Sequence, residues 1–232
     1  IKAKPENTYD AIVVGSGISG GWAAKELTEK GLKTLMLERG RQVKHIEDYP
    51  TATKSHYEMP YRNQIPEEEL KDYYVQNRTG YAMRQTHKHW WVKDTDHPYT
   101  EIQRFDWMRG YHVGGRSLMW GRQSYRLSKM DFEANEKDGI AIPWPVTYDE
   151  IAPWYSYVER FAGINGKKEG LAQLPDGDFL PAMEMNCVEK EVKKRIEQKF
   201  EGRMMTIGRS ANLTRAHNGR ASCQYRNMCI QG

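Results

Sequence analysis

One stretch near the start of the chain limits its fold more than any other. In "YDAIVVGSGISGGWAAKELTEKGLKTLMLE", Tyr9 to Glu38, a β-branched run is broken by Gly15, Gly17, Gly20 and Gly21, and a second apolar run ends on an acid. "YDAIVVG" suits a short buried strand. Ala23, Ala24 and Leu27 then fall on one face of a helix between Ser19 and Lys30, with Gly31 where a C-terminal cap belongs. "KTLMLE" is a second buried strand. Strand, glycine turn, helix and strand make a βαβ unit, which requires a parallel sheet and places the chain in the α/β class.

The glycines of "GSGISG" have separate physical tasks. Gly15 permits the tight turn, Gly17 lets backbone approach a pyrophosphate, and Gly20 lets helix and strand pack closely. The helix N-terminus adds free N–H groups that favour phosphate, and Glu38, 23 positions after Gly15, is placed to accept hydrogen bonds from ribose hydroxyls. Arg39 follows it. This pattern predicts a dinucleotide site. A second glycine pair, Gly114 and Gly115 in "GYHVGGRSLMW", points to another backbone segment against a large flat cofactor, which favours FAD over NAD.

The rest of the chain is less regular. Residues 1–40 form the βαβ unit, 41–108 an irregular excursion over it rich in Tyr, His, Pro and charge, and 109–232 the remainder of the cofactor region. Thr147 and Glu150 form a capping box before "IAPWYSYVERFAGI", where Pro153 is expected to break or restart the helix. Val188, Val192, Ile196 and Phe200 predict a surface helix with one apolar stripe, and "MMTIG", 204–208, predicts a strand.

In order along the chain, the opening βαβ stretch, then "HVGGRSLMWG", then "MDFEANEKDGIAIPWPVTYDEIAPWYSYVERFAGINGKKEG" resemble the N-terminal half of the glucose-methanol-choline oxidoreductases. Within that family the chain is most similar to bacterial sugar dehydrogenases (glucose, gluconate, fructose and glucoside 3-dehydrogenases) and to pyranose oxidases. The resemblance implies a Rossmann-like FAD-binding domain with part of a substrate domain. It also implies bound FAD lined by Gly114, Gly115 and Ser117, and a sugar or alcohol as hydride donor. Met119 stands before Trp120 where some pyranose oxidases carry a flavin-linking His. A thioether cannot make that bond, so the flavin is expected to be non-covalent; core packing by Met119 and Trp120 fits equally well.

The tail "CQYRNMCIQG" holds Cys223 and Cys229, and between Arg203 and Gly232 there are five Arg and no acid, so this tail carries the positive excess of a chain with net charge +4. In the sugar dehydrogenase branch a C-x5-C-x3-C motif binds an iron–sulfur cluster that passes electrons to a cytochrome. The chain supplies C-x5-C. Nearby arginines would favour thiolates and an anionic cluster. Two free thiols or one disulfide remain open for the pair, and Cys187 fits a small apolar residue at a helix start. His87, His89, Asp94, Asp96 and His97 fit a polar loop better than a metal site, and Trp90 and Trp91 fit buried anchors better than sugar platforms.

No apolar run approaches the roughly 18–20 residues of a membrane span. The basic tail lacks the interleaved aromatics of a nucleic-acid surface. The start, with neither Met nor an apolar leader, reads as processed or incomplete. The family's catalytic base, a His near the end of a longer chain, is expected beyond residue 232. The resemblance also implies an electron-acceptor subunit, a small accessory subunit, and a periplasmic or membrane-associated rather than cytoplasmic place. Two other classes stay open: an amine or disulfide flavoprotein sharing the βαβ start, and a non-catalytic cofactor-fold module.

Overall fold

A computed structural model describes residues 8–80 and 83–225. The chain divides into two compact units, one running to Gly121 and the other spanning Arg122–Tyr225.

The first unit opens with β1 (Ala11–Val14), α1 (Ile18–Glu29) and β2 (Thr34–Leu37). The strands are parallel, in register from Ala11 opposite Thr34 to Val14 opposite Leu37. Gly31 ends the helix in the left-handed region at φ 84° and bonds back to the Thr28 carbonyl at 2.9 Å. Val13 and Ala24 are buried between sheet and helix, whereas Ile12 and Val14, on the opposite face, are 62% and 81% exposed. Among the described residues the parallel sheet has two strands, fewer than a Rossmann-like domain implies. A single parallel rung, Arg41 beside His112, brings the later glycine segment to the same place.

The excursion contains two short helices, α2 (Glu67–Leu70) and α3 (Tyr74–Thr79), joined by one 3₁₀ turn, Lys71–Tyr73. Its regularity is low and its burial is high. Tyr73, Met83 and Trp91 form a core against which Ile65, Leu70, Met108 and Met119 pack. Asp94, 1% exposed, accepts from the Val75 amide and from Arg109, both at 3.1 Å, and Arg109 is ringed by Tyr99, Trp107 and Tyr111.

The second unit holds α4 (Lys129–Asp138), α5 (Tyr148–Ala162) and α6 (Cys187–Lys199). Thr147 and Glu150 form the expected capping box on α5. Pro153 does not break the helix. It removes the N–H that would bond the Asp149 carbonyl, and Asp149 is exposed, so water replaces one hydrogen bond while the rest of α5 continues. Beyond it Glu159 is locked to Arg126 by bonds of 2.7 and 2.6 Å. Residues 204–208 form no strand either. Their extended chain leads into Ser210, which makes isolated bridges to Gln123 and Asn165 rather than a ladder. The apolar stripe of α6 is present and largely uncovered, with Val188 66% and Phe200 48% exposed.

Candidate cofactor site

The site is built mostly from backbone. Gly15 turns the chain at φ 90°, and a Cβ on Gly20 would lie 1.9 Å from the Gly15 carbonyl oxygen, so only glycine lets α1 start this close to β1. Gly17 is the N-cap of α1, with no side chain capping the helix. Its Cβ direction meets no protein atom within 4 Å. The first N–H groups of α1, those of Ile18, Ser19 and Gly20, lack intrahelical acceptors. Ser19 itself is exposed.

Glu38 follows β2 and faces the same turn. Its carboxylate accepts from the Ser16 hydroxyl at 2.6 Å and from the Ser16 and Gly40 amides at 2.8 Å each. The Ser16 hydroxyl, then the Ser16 and Gly40 amides, hold its pKa down to about 2, so it is ionised at any physiological pH. Ser16 does more: its Oγ accepts from the Gly114 amide at 2.9 Å. One hydroxyl therefore joins the glycine turn, the acid and the second glycine segment.

That segment is shaped for the contact. Gly114 sits at φ 93° and starts a 3₁₀ turn over Gly115–Leu118, with the Ser117 hydroxyl donating to the Gly114 carbonyl. A Cβ on Gly115 would come 3.2 Å from the Gly17 Cα, so the two glycine motifs touch. Upstream, Arg41 pairs with Tyr111 and Val113, and the Arg39 guanidinium stacks on the Tyr111 ring at 3.7 Å. Met119 packs on the Tyr73–Met83–Trp91 core, and Trp120 is 37% exposed. Gly15, Gly17, Ser19, Gly20, Glu38, Gly114, Gly115 and Ser117 thus converge, while Arg39, Met119 and Trp120 border them. Ser16 escaped sequence reasoning; its only signal is a hydroxyl at the variable position of GxG.

An uncapped helix start, an open Gly17, an ionised acid and a second glycine backbone segment fit a dinucleotide. The residues fit FAD without a covalent link through Met119, a thioether.

Cys223 is a free thiol whose amide donates to Leu213 and whose sulfur accepts from the Tyr225 amide at 3.4 Å. Cys229 lies outside the described residues. Cys187 opens α6 as predicted but is exposed, so it serves no packing role there. Among the described residues no three His, Cys, Asp or Glu side chains gather as metal ligands. Asp94 is taken by Arg109, and Trp90 and Trp91 are 3% and 6% exposed anchors.

No protein-family model matches the chain. Paromamine 6'-oxidase of Streptomyces fradiae is 26% identical over 228 residues, covering 97% of this chain and 35% of that protein. The fructose dehydrogenase large subunit of Gluconobacter japonicus is 27% identical over 167 residues, 68% of this chain and 27% of its own length. The gluconate 2-dehydrogenase flavoprotein of Pantoea cypripedii is 27% identical over 171 residues, 68% and 25%. The chain is a relative of the glucose-methanol-choline oxidoreductases. It matches their N-terminal part and spans about a third of the length of the first two relatives it matches. Kinship with these oxidoreductases makes FAD the dinucleotide that the glycine cradle implies.

Proposed function

We propose that the whole protein is an FAD-dependent oxidoreductase acting on a CH–OH group of a sugar or glycoside, with electrons leaving to an acceptor other than oxygen. The observation that carries this is the Ser16 joint, which binds Glu38 and the Gly114 amide at once and so builds one cradle from two glycine motifs. Bound FAD supplies a two-electron acceptor for the hydride of the alcohol carbon. This chain's own residues do the holding. The α1 N-terminus and Gly17 receive the pyrophosphate, Glu38 accepts from ribose hydroxyls, and Gly114, Gly115 and Ser117 line the flavin. The base that takes the hydroxyl proton is assigned, by resemblance, to a segment beyond residue 232.

Protein denatured by acid or heat should release FAD into the supernatant, and sugars but not amines should bleach the flavin of the intact protein. NAD in the supernatant, or bleaching by amines alone, would overturn the reading; flavin retained in the precipitate would overturn only the non-covalent link.

The names of the fructose and gluconate dehydrogenase relatives support a sugar or sugar acid, and that of paromamine oxidase an amino-sugar glycoside. In the same reading Cys223 and Cys229 ligate an iron–sulfur cluster that hands electrons to a cytochrome-type subunit, beside a small accessory subunit, in the periplasm or at a membrane. The full-length protein should then contain iron and acid-labile sulfide. Cys229→Ser should abolish reduction of a cytochrome-type acceptor and spare reduction of a small dye that meets the flavin directly. Absence of iron after anaerobic purification would leave free thiols or a disulfide.

A further inference from the structure

His112 lies two residues before Gly114 and is 1% exposed. Its backbone belongs to the cradle: residue 112 bridges to Arg41, and its carbonyl accepts from the Gly115 amide at 2.8 Å. Its side chain is engaged differently. Among the described residues neither Nδ1 nor Nε2 has a hydrogen-bond partner. The ring packs edge-on against Trp90 at 5.1 Å. Its Nε2 is turned toward Gly110, where a Cβ would stand 2.8 Å from it, 2.5 Å from the Met119 methyl and 3.0 Å from the Trp90 carbonyl oxygen. Burying an imidazole without partners costs free energy that an apolar side chain of similar size would not cost.

The charged and titratable surroundings oppose a second proton on that ring. Arg41 approaches from the adjoining rung, with its guanidinium 5.3 Å from the centre of Trp90. Glu38, past the end of β2, is turned to the Ser16 and Gly40 donors rather than to the ring. His89 packs against Trp90 at 4.8 Å, and burial pushes its own pKa down. Burial first and Arg41 second pull the His112 pKa below its ordinary 6.5, against weaker opposite pulls from the Trp90 and Val113 backbone and from Glu38.

We propose that His112 is a positioning residue: neutral and sealed, it holds the second glycine segment against the first, and when charged it leaves its place, breaks the Ser16–Gly114 joint and releases the FAD. The inference rests on the FAD reading above. An imidazolium here has no counter-ion within the sealed contact, and the weak pull of the Trp90 and Val113 backbone does not offset its burial, so the charged ring is better held in water. The ring can reach water if residues 110–119 lift from the Arg41 rung. The same lift carries the Gly114 amide away from Ser16 and Gly115 away from Gly17.

The sign is fixed by linkage. The released state takes up a proton below about pH 6.5 and the holding state, its pKa lowered, only at lower pH, so the FAD dissociation constant should rise by up to about tenfold per pH unit below 6.5 until the holding state also titrates. Glu38 does not confuse this window because it titrates near 2.

The test is FAD dissociation from the full-length protein, read as flavin fluorescence from pH 7.5 to 5. The parent should show the slope, His112→Leu and His112→Asn should flatten it, and His89→Gln should keep it. An equal slope in the His112 variants overturns the inference. Should both variants fail to fold, histidine ring resonances of the parent decide. His112 must titrate lower with FAD bound than after its release, and titration near 6.5 with flavin still bound overturns the inference. Failure of the parent to bind FAD at pH 7.5 would instead sink the FAD reading itself.

Discussion

The βαβ segment and the excursion after it are held together in opposite ways. In the first, Ile12 and Val14 are 62% and 81% exposed, and cohesion comes from a four-residue parallel ladder and from glycines that let backbone touch backbone. In the second there is little regular structure, yet Val75 is fully buried, Trp90 is 3% exposed, and Asp94 and Arg109 form an ion pair inside a ring of aromatics. The contrast shows a division of labour within one unit. The βαβ segment offers its backbone to a ligand, and side chains of the excursion supply the buried core of the same unit.

The largest effect expected from this contrast is at Asp94. Asp94→Ala leaves Arg109 charged, buried and unpaired and the Val75 amide unsatisfied, which should cost about 3–5 kcal/mol in urea unfolding. A loss under about 1 kcal/mol would erase the claim that the excursion is the cohesive part.

Next come the two glycines of the cradle, which separate fold from ligand. Gly20→Ala drives a Cβ into the Gly15 carbonyl and should cost about 1–3 kcal/mol as well as FAD. Gly17→Ala meets no protein atom, so the fold should change by under about 0.5 kcal/mol while FAD retention collapses. Glu38→Gln, which keeps shape and loses charge, should weaken retention less. Retention of flavin by Gly17→Ala at the parent's level would remove the pyrophosphate claim.

A smaller effect is expected in acid. The Glu38 carboxyl titrates near 2 in the folded chain against 4.5 unfolded, so its contribution is complete above 4.5 and is lost as pH falls toward 2. Allowing for partial exposure, the parent should lose about 1 kcal/mol more than Glu38→Gln over that interval in unfolding measured against pH. Parallel curves would mean that Ser16 and Gly40 do not hold the carboxylate in solution.

The smallest effect should be Val14→Ser in the 232-residue chain, under about 0.5 kcal/mol because the side chain is already wet. The same substitution in the longer protein sharpens the comparison. A cost near that of a buried valine, about 1.5–3 kcal/mol, would show that another segment lies on this face of the sheet.

What could be seen in the sequence follows the same division. The glycine spacing, Glu38 and the Gly114–Gly115 pair were legible because backbone contacts demand glycine at fixed intervals, and the structure brings them together. Ser16 was not, since a variable position between two glycines carries no periodicity, and its partner Gly114 is 98 residues away. Pro153 misled because a local rule about helix breakers ignores that the deprived carbonyl belongs to an exposed residue, Asp149. The run at 204–208 reads as a strand by composition, but a strand needs a ladder, and here only Ser210 finds bridges. The excursion's core was hidden because aromatic and ionic contacts such as Arg109 with Asp94 leave no repeat to count.

The Ser16–Gly114 bond also sets an order of events in time. With 98 residues between its partners, the βαβ unit can leave the ribosome as a strand, helix and strand yet remain unable to close its cradle until the second glycine segment is made. At about 5–20 residues per second that delay is roughly 5–20 s. During this interval Ser16 and Glu38 have each other but not Gly114, so a nascent chain is committed to its flavin only after residue 114 emerges. Closure of the cradle therefore waits on the second glycine pair, and its delay is set by where that pair sits in the gene.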